Sequence, residues 1–101
     1  PHDLAGATRR LWSAGHRREA LALLYRGCAE AVAAAQQTSV PADATEADCL
    51  RSARRLDAPM RQRAEAIVRA WQYAAYADRY PRDEDFQHLL AGWPATARSA
   101  A

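Results

Sequence analysis

The stretch PMRQRAEAIVRAWQYAAYADRYP, residues 59–81, decides the fold. Met60, Ala64, Ile67, Val68, Trp71, Ala74 and Ala75 recur at helical spacing, which predicts one long amphipathic helix over about Pro59–Asp78. Pro59 suits a first helical turn, where its missing N–H costs nothing, and Pro81 is the expected end. At 100° per residue, Tyr73, Tyr76 and Tyr80 fall together on the opposite side, around Arg69. A helix with aromatics on both faces is either sandwiched between two others or presents a sticky face to a partner. Tyr and Arg are the side chains that interface hot spots favour, so Arg69, Tyr73, Tyr76 and Tyr80 are the candidate partner-binding residues. The alternative is that the last helix or the first hairpin covers these rings.

The same helical period extends both ways along the chain. Upstream, Leu4, Thr8, Leu11 and Trp12 mark a first helix that Gly15 stops, because glycine takes the left-handed region at little cost. A second helix over about Arg17–Gln36 carries the stripe Ala20, Leu21, Leu24, Cys28, Ala31, Val32 and Ala35. Gly27 within it is expected at a close helix crossing. So short a connection predicts an antiparallel hairpin. Residues 37–44 form a loop. Thr45 is the expected N-cap of a short third helix, with Asp48 in the position a capping-box Glu usually holds. That helix turns Cys49, Leu50, Ala53 and Leu56 inward. Downstream, Asp83, Glu84 and Asp85 place negative charge at a new helix N-terminus. Phe86, Leu89, Leu90 and Trp93 give that last helix its stripe, closed by Gly92 and Pro94. Val and Ile together number four, so no strand pattern competes. The fold class is all-α: a compact bundle of about five helices opening with a hairpin. Residues 1–94 form one domain and 95–101 a disordered tail.

Composition bounds the function. The chain has 101 residues, 14 Lys+Arg, 12 Asp+Glu and a net charge of +2. Half of the residues are hydrophobic, but about half of those are Ala, so core volume rests on a few large side chains. No apolar run approaches the ~20 residues of a membrane span, and no signal-peptide pattern opens the chain. It reads as a soluble domain. Every basic residue is Arg, which with so much Ala reads as coding bias before it reads as selection for phosphate. Cys28 and Cys49 lack ligand spacing and read as two buried free thiols, with a single disulfide as the alternative.

The opening hairpin has a tetratricopeptide-like character, with Leu11, Ala20, Leu24 and Gly27 near that repeat's large and small positions. No second copy follows at about 34 residues. A wider resemblance covers nearly the whole chain. It rests on Leu11-Trp12-Ser13-Ala14-Gly15, Arg18 through Gly27, Ala44 through Arg51, Trp71-Gln72-Tyr73-Ala74-Ala75-Tyr76, Arg79, Pro81 and Phe86 through Trp93. In that order and spacing they resemble the bacterial domain-of-unknown-function 4129 family. Asp48 stands where its members commonly carry Glu, and Tyr76 through Pro81 replaces a glycine-rich turn. The resemblance implies a cytoplasmic domain tethered to the bacterial inner membrane, behind transmembrane helices outside this chain. It implies an unknown protein partner and no catalytic residue. It also implies an alternative, an accessory domain of a transglutaminase-like membrane enzyme whose catalytic part lies elsewhere. In that setting Arg9, Arg10, Arg17 and Arg18 form a juxtamembrane basic cluster facing anionic lipid.

Catalytic chemistry finds little purchase. His2, His16 and His88 share no metal-binding spacing. Cys28 lies on a core stripe, where a thiol packs as a small hydrophobe. Cys49 sits in the first turns of its helix, where an N-terminus can lower a thiol pKa, but packing accounts for it as well. Asp83-Glu84-Asp85 lacks further ligands for a metal, and no phosphate-cradling loop or other cofactor motif occurs. The expectation is a domain without enzyme activity, metal or cofactor. Arg51, Arg54, Arg55, Arg61 and Arg63 gather around one helix junction and could bind an anionic polymer weakly. The interleaved Asp48, Asp57 and Glu65 point instead to a solvated mixed-charge surface, and no nucleic-acid partner is expected.

Overall fold

Asp3 accepts a hydrogen bond from the Gly6 N–H at 3.0 Å and so caps α1, Leu4–Ser13. The computed structural model describes residues 3–91. It continues with α2 (Arg17–Ala34), α3 (Glu46–Ala53), α4 (Ala58–Ala77) and α5 (Asp83–Ala91). The fold is an all-α bundle of five helices, with no strand among the described residues. The expected Gly92, Trp93 and Pro94 closure and the 95–101 tail lie outside the described residues.

Gly15 turns the chain at φ +89°, and the His16 N–H reaches back to the Leu11 carbonyl, so α1 folds onto α2 across three residues. α2 ends at Ala34, two residues before the expected Gln36. Gln37 takes a left-handed conformation (φ +58°), and the Thr38 N–H captures the Ala33 carbonyl. The Gln36 amide meanwhile donates to the carbonyls of Val32 and Ser52, tying the end of α2 to the last turn of α3. The inward stripe also shifts here. Ala33 is buried, Ala31 is half-buried and Ala35 is exposed, because the last turn of α2 faces the returning loop and α3.

Thr45 and Asp48 form the expected capping box, with reciprocal bonds of 3.2 and 2.9 Å. The Thr45 N–H, and after it Arg51 at 2.8 Å, hold the Asp48 carboxyl below the usual carboxylate range. Asp57 caps α4 through the Met60 N–H at 2.9 Å, with Pro59 in the first turn. α4 ends at Ala77, within one residue of the expected Asp78. Asp78, not Pro81, is the stop: it adopts φ +53°, and the Arg79 N–H bonds to the Tyr73 carbonyl at 3.1 Å.

α2 is the central wall, packing on α1, α3 and α4, and contributes Ala20, Leu21, Leu24, Cys28 and Val32 to the core. From α4 come Ala64, Ile67, Val68 and Ala74; from α3, Cys49 and Ala53. α5 is anchored by Phe86 and Leu90. The Phe86 ring stacks on Trp12 at 4.0 Å and 4°, and the Trp12 indole donates to Asp83 at 2.9 Å. Asp83 thus carries a tertiary bond as well as helix-start charge.

One buried polar group stands out. Thr8 on α1 has no exposure, and its Oγ1 has no hydrogen-bond partner among the described residues. A hydroxyl left unpaired in the core costs about 1–3 kcal/mol. Thr8→Val keeps the shape and removes the orphan, so it is expected to stabilise the protein by about 1 kcal/mol, read as a higher urea midpoint at unchanged slope. Thr8→Ser keeps the hydroxyl and loses a methyl, and should lower that midpoint.

Candidate functional site

The structure divides the four candidate residues between two flanks of α4. On one flank Ala66, Arg69, Ala70 and Tyr73 meet Arg79, Tyr80 and Pro81 of the segment that follows, enclosing a groove of about 440 Å³. The left-handed turn at Asp78 makes this groove, because it folds Tyr80 back along the helix instead of continuing it. Tyr73 is 53% exposed, while Tyr80 is half-buried and packs against the core. Arg69 and Arg79 are exposed and form no ion pair among the described residues. The Glu65 carboxylate, one helical turn from Arg69, does not reach it.

Tyr76 belongs to the other flank. It is 73% exposed, and its hydroxyl donates to Glu46 at the start of α3, lying 3.3 Å from each carboxylate oxygen. The same carboxylate accepts from the Trp71 indole at 3.2 Å. Trp71 in turn stacks near Tyr25 (centroids 6.0 Å apart, 12°), and the Arg18 guanidinium lies 5.8 Å from the Trp71 ring centre. Burial, then the nearby Cys49 and Glu46, push the Tyr25 hydroxyl up to about 12. Glu46, Tyr25 and Arg18 thus join Trp71 and Tyr76 in a network that fastens α3 and α2 to α4. Sequence reading missed it. A Glu at the first position of α3 carries a helix-dipole signal, but pairing across 25 residues leaves no local trace.

Arg9 and Arg10 lie exposed in the last turns of α1, with Arg10 loosely paired to Asp3 at 3.8 Å. Arg17 and Arg18 open α2 but rest on different indoles, Trp12 and Trp71. Arg51 and Arg55 border a shallow cavity with Asp43 and Asp48, so their surface is of mixed sign. His16 lies 3.4 Å from Glu19, and His88 is exposed on α5. Among the described residues no three His, Cys, Asp or Glu side chains converge to hold a metal, and no helix is long and apolar enough to cross a membrane.

Cys28 and Cys49 are free and buried in one core cluster. The neighbouring Cys49 thiol and then burial push Cys28 well up, and Cys28 in turn lowers Cys49. Cys49 also walls a cavity of about 220 Å³ under the 35–45 loop, together with Ala33, Val40 and Pro41. Comparison with protein-family models, with curated proteins and with solved structures finds no match.

Proposed function

We propose that this chain is a non-catalytic protein-interaction domain that docks a partner on the Arg69–Tyr73–Tyr80 groove. The observation that carries the reading is an exposed tyrosine flanked by two guanidinium groups that have no acidic partner among the described residues, on a helix that buries Ala64, Ile67, Val68 and Ala74 in the core. Aromatic rings supply large contact area at little conformational cost, and free guanidinium forks supply directional donors. Such a groove suits a protein segment bearing a carboxylate. Tyr76 stands at the margin of this surface, since its hydroxyl is already engaged by Glu46. The resemblance to the domain-of-unknown-function 4129 family supports the setting: a domain on the cytoplasmic side of the bacterial inner membrane, tethered through sequence outside this chain, with Arg9, Arg10, Arg17 and Arg18 toward the lipid.

A photo-crosslinking residue at position 73 of the full-length protein, expressed in its host, tests the reading. It should trap a defined partner that the same residue at Glu30, exposed on α2, does not. Adding Arg69→Glu and Arg79→Glu should lower the yield at least about tenfold while the melting temperature moves by only a few degrees. Equal crosslinking from both positions, or a yield indifferent to the charge reversals, would refute it. Tyr73→Ser is the suitable truncation, whereas Tyr80→Ser would also disturb the core against which Tyr80 packs.

A further inference from the structure

We infer that the partner docks through a single acidic peptide segment, which runs along α4 from the Tyr73 groove into a second hollow beside α5; this rests on the reading of the Tyr73 groove as the docking site. The second hollow, of about 360 Å³, is walled by Pro59, Gln62, Arg63 and Ala66 of α4 with His88 and Leu89 of α5. Ala66 also lines the Tyr73 groove, so the two hollows meet at one methyl group and form a trough. Its floor is small or apolar, with Ala66, Ala70, Leu89 and Pro81. Its rim is basic. At 100° per residue Arg63 and Arg69 lie about 60° to either side of Ala66, and Arg79 stands at the Tyr73 end. Among the described residues none of these three guanidiniums is in an ion pair, and no Asp or Glu lines either hollow.

The trough sets both the charge and the reach of its occupant. From Pro59 to Tyr73 the helix rises about 21 Å. A peptide covers that distance in about six residues when extended and about 14 when helical. Its apolar side chains rest on the alanine floor, and its carboxylates meet Arg63, Arg69 and Arg79, whose planar forks bind a carboxylate in bidentate fashion. A nucleic-acid strand is the competing polyanion. It carries a phosphate at every nucleotide, and Asp85, one helical turn before His88 and Leu89, brings a negative charge to the α5 side of the trough. A peptide avoids that repulsion, because it can set its acids opposite the guanidiniums and place uncharged residues elsewhere. The net charge of only +2 agrees with a local basic rim and not with a general affinity for polyanions.

The test places the photo-crosslinking residue at position 62 of the full-length protein, in the second hollow, alongside position 73. Peptide mapping by mass spectrometry should join both positions to one segment of the same partner, rich in Asp and Glu, at sites no more than about 14 residues apart. Arg63→Glu, which lies outside the Tyr73 groove, should cut the yield from both positions about tenfold while the melting temperature stays nearly constant. A synthetic peptide of that segment should bind the purified protein, weaken as salt rises, and lose at least about tenfold in affinity when its Asp and Glu become Asn and Gln. Capture from position 73 alone, or a yield indifferent to Arg63→Glu, overturns this inference and leaves the Tyr73 groove as the docking site. No specific product from either position overturns both. A second copy of this chain or an RNA joined at position 62, or a peptide that binds equally well without its carboxylates, also overturns it.

Discussion

Phe86→Ala is expected to cost about 3–5 kcal/mol and to release α5 from the bundle. The ring has no exposure, and it stacks on Trp12 at 4.0 Å with nearly parallel planes. Truncation removes the transfer free energy of the ring, opens a cavity between α1 and α5, and strips Trp12 of its stacking partner. α5 has nine residues, too few to persist as an isolated helix, and its remaining anchors among the described residues are Leu90, the half-buried Leu89 and the Trp12–Asp83 bond. A domain of this size has about 5–15 kcal/mol of total stability, so the loss would consume a large share of it. Chemical denaturation gives the magnitude. Hydrogen exchange gives the location, because α5 amides should lose protection before those of α2. Trp12→Phe makes the comparison sharp: it keeps an aromatic stack and loses the hydrogen bond to Asp83, and should cost about 1–1.5 kcal/mol. A Phe86→Ala loss below about 1 kcal/mol would mean that α5 is held some other way.

Leu24→Ala should cost about 2–5 kcal/mol, with a different signature. Leu24 has no exposure and sits mid-way along α2, the wall shared by α1, α3 and α4. A cavity there has no single neighbouring helix that can collapse into it without leaving another. The loss should therefore appear as a uniform fall in protection across the bundle, not as the release of one element. Leu23→Ala is the matched comparison. Its side chain is only half-buried, one position round the same helix, and its truncation should cost under about 1 kcal/mol. Equal costs at the two positions would show that the inward face of α2 has been misplaced.

These two residues also show what the sequence could disclose. The spacing of Ala20, Leu21, Leu24 and Cys28 places Leu24 inward, and the structure agrees. Local chemistry was legible as well: Thr45 with Asp48 announced a capping box, and Gly15 a left-handed turn. The partners of the anchoring residues were not legible. Trp12 meets Phe86 and Asp83 across more than half the chain, and nothing in either neighbourhood encodes that pairing. The same holds for Glu46 with Trp71 and Tyr76.

The end of α4 was legible to within a residue, but its cause was not, because Pro81 is a strong local signal while Asp78 is a weak one. Aspartate in the left-handed region is mildly costly, and here the capture of the Tyr73 carbonyl accompanies it. The left-handed turn at Asp78 bears on the candidate site. A helix running on toward Pro81 sets three tyrosines in one row, whereas the turn sends Tyr80 beside Tyr73 and leaves Tyr76 to Glu46. Helical arithmetic put three tyrosines on one face, whereas the structure groups Tyr73 with Tyr80 and sets Tyr76 apart.

The Gln36 side chain gives the bundle a practical property. By binding carbonyls of Val32 and Ser52 at once, it ties the end of α2 to the last turn of α3. With the two helices tied to each other directly, the connector between them has freedom in its length, and each doubling of a flexible connector adds only about 0.6 kcal/mol of closure entropy. The exposed tip at Ala42-Asp43 is accordingly the natural port for grafting a reporter peptide or a small guest domain, carried without disturbing the scaffold beneath.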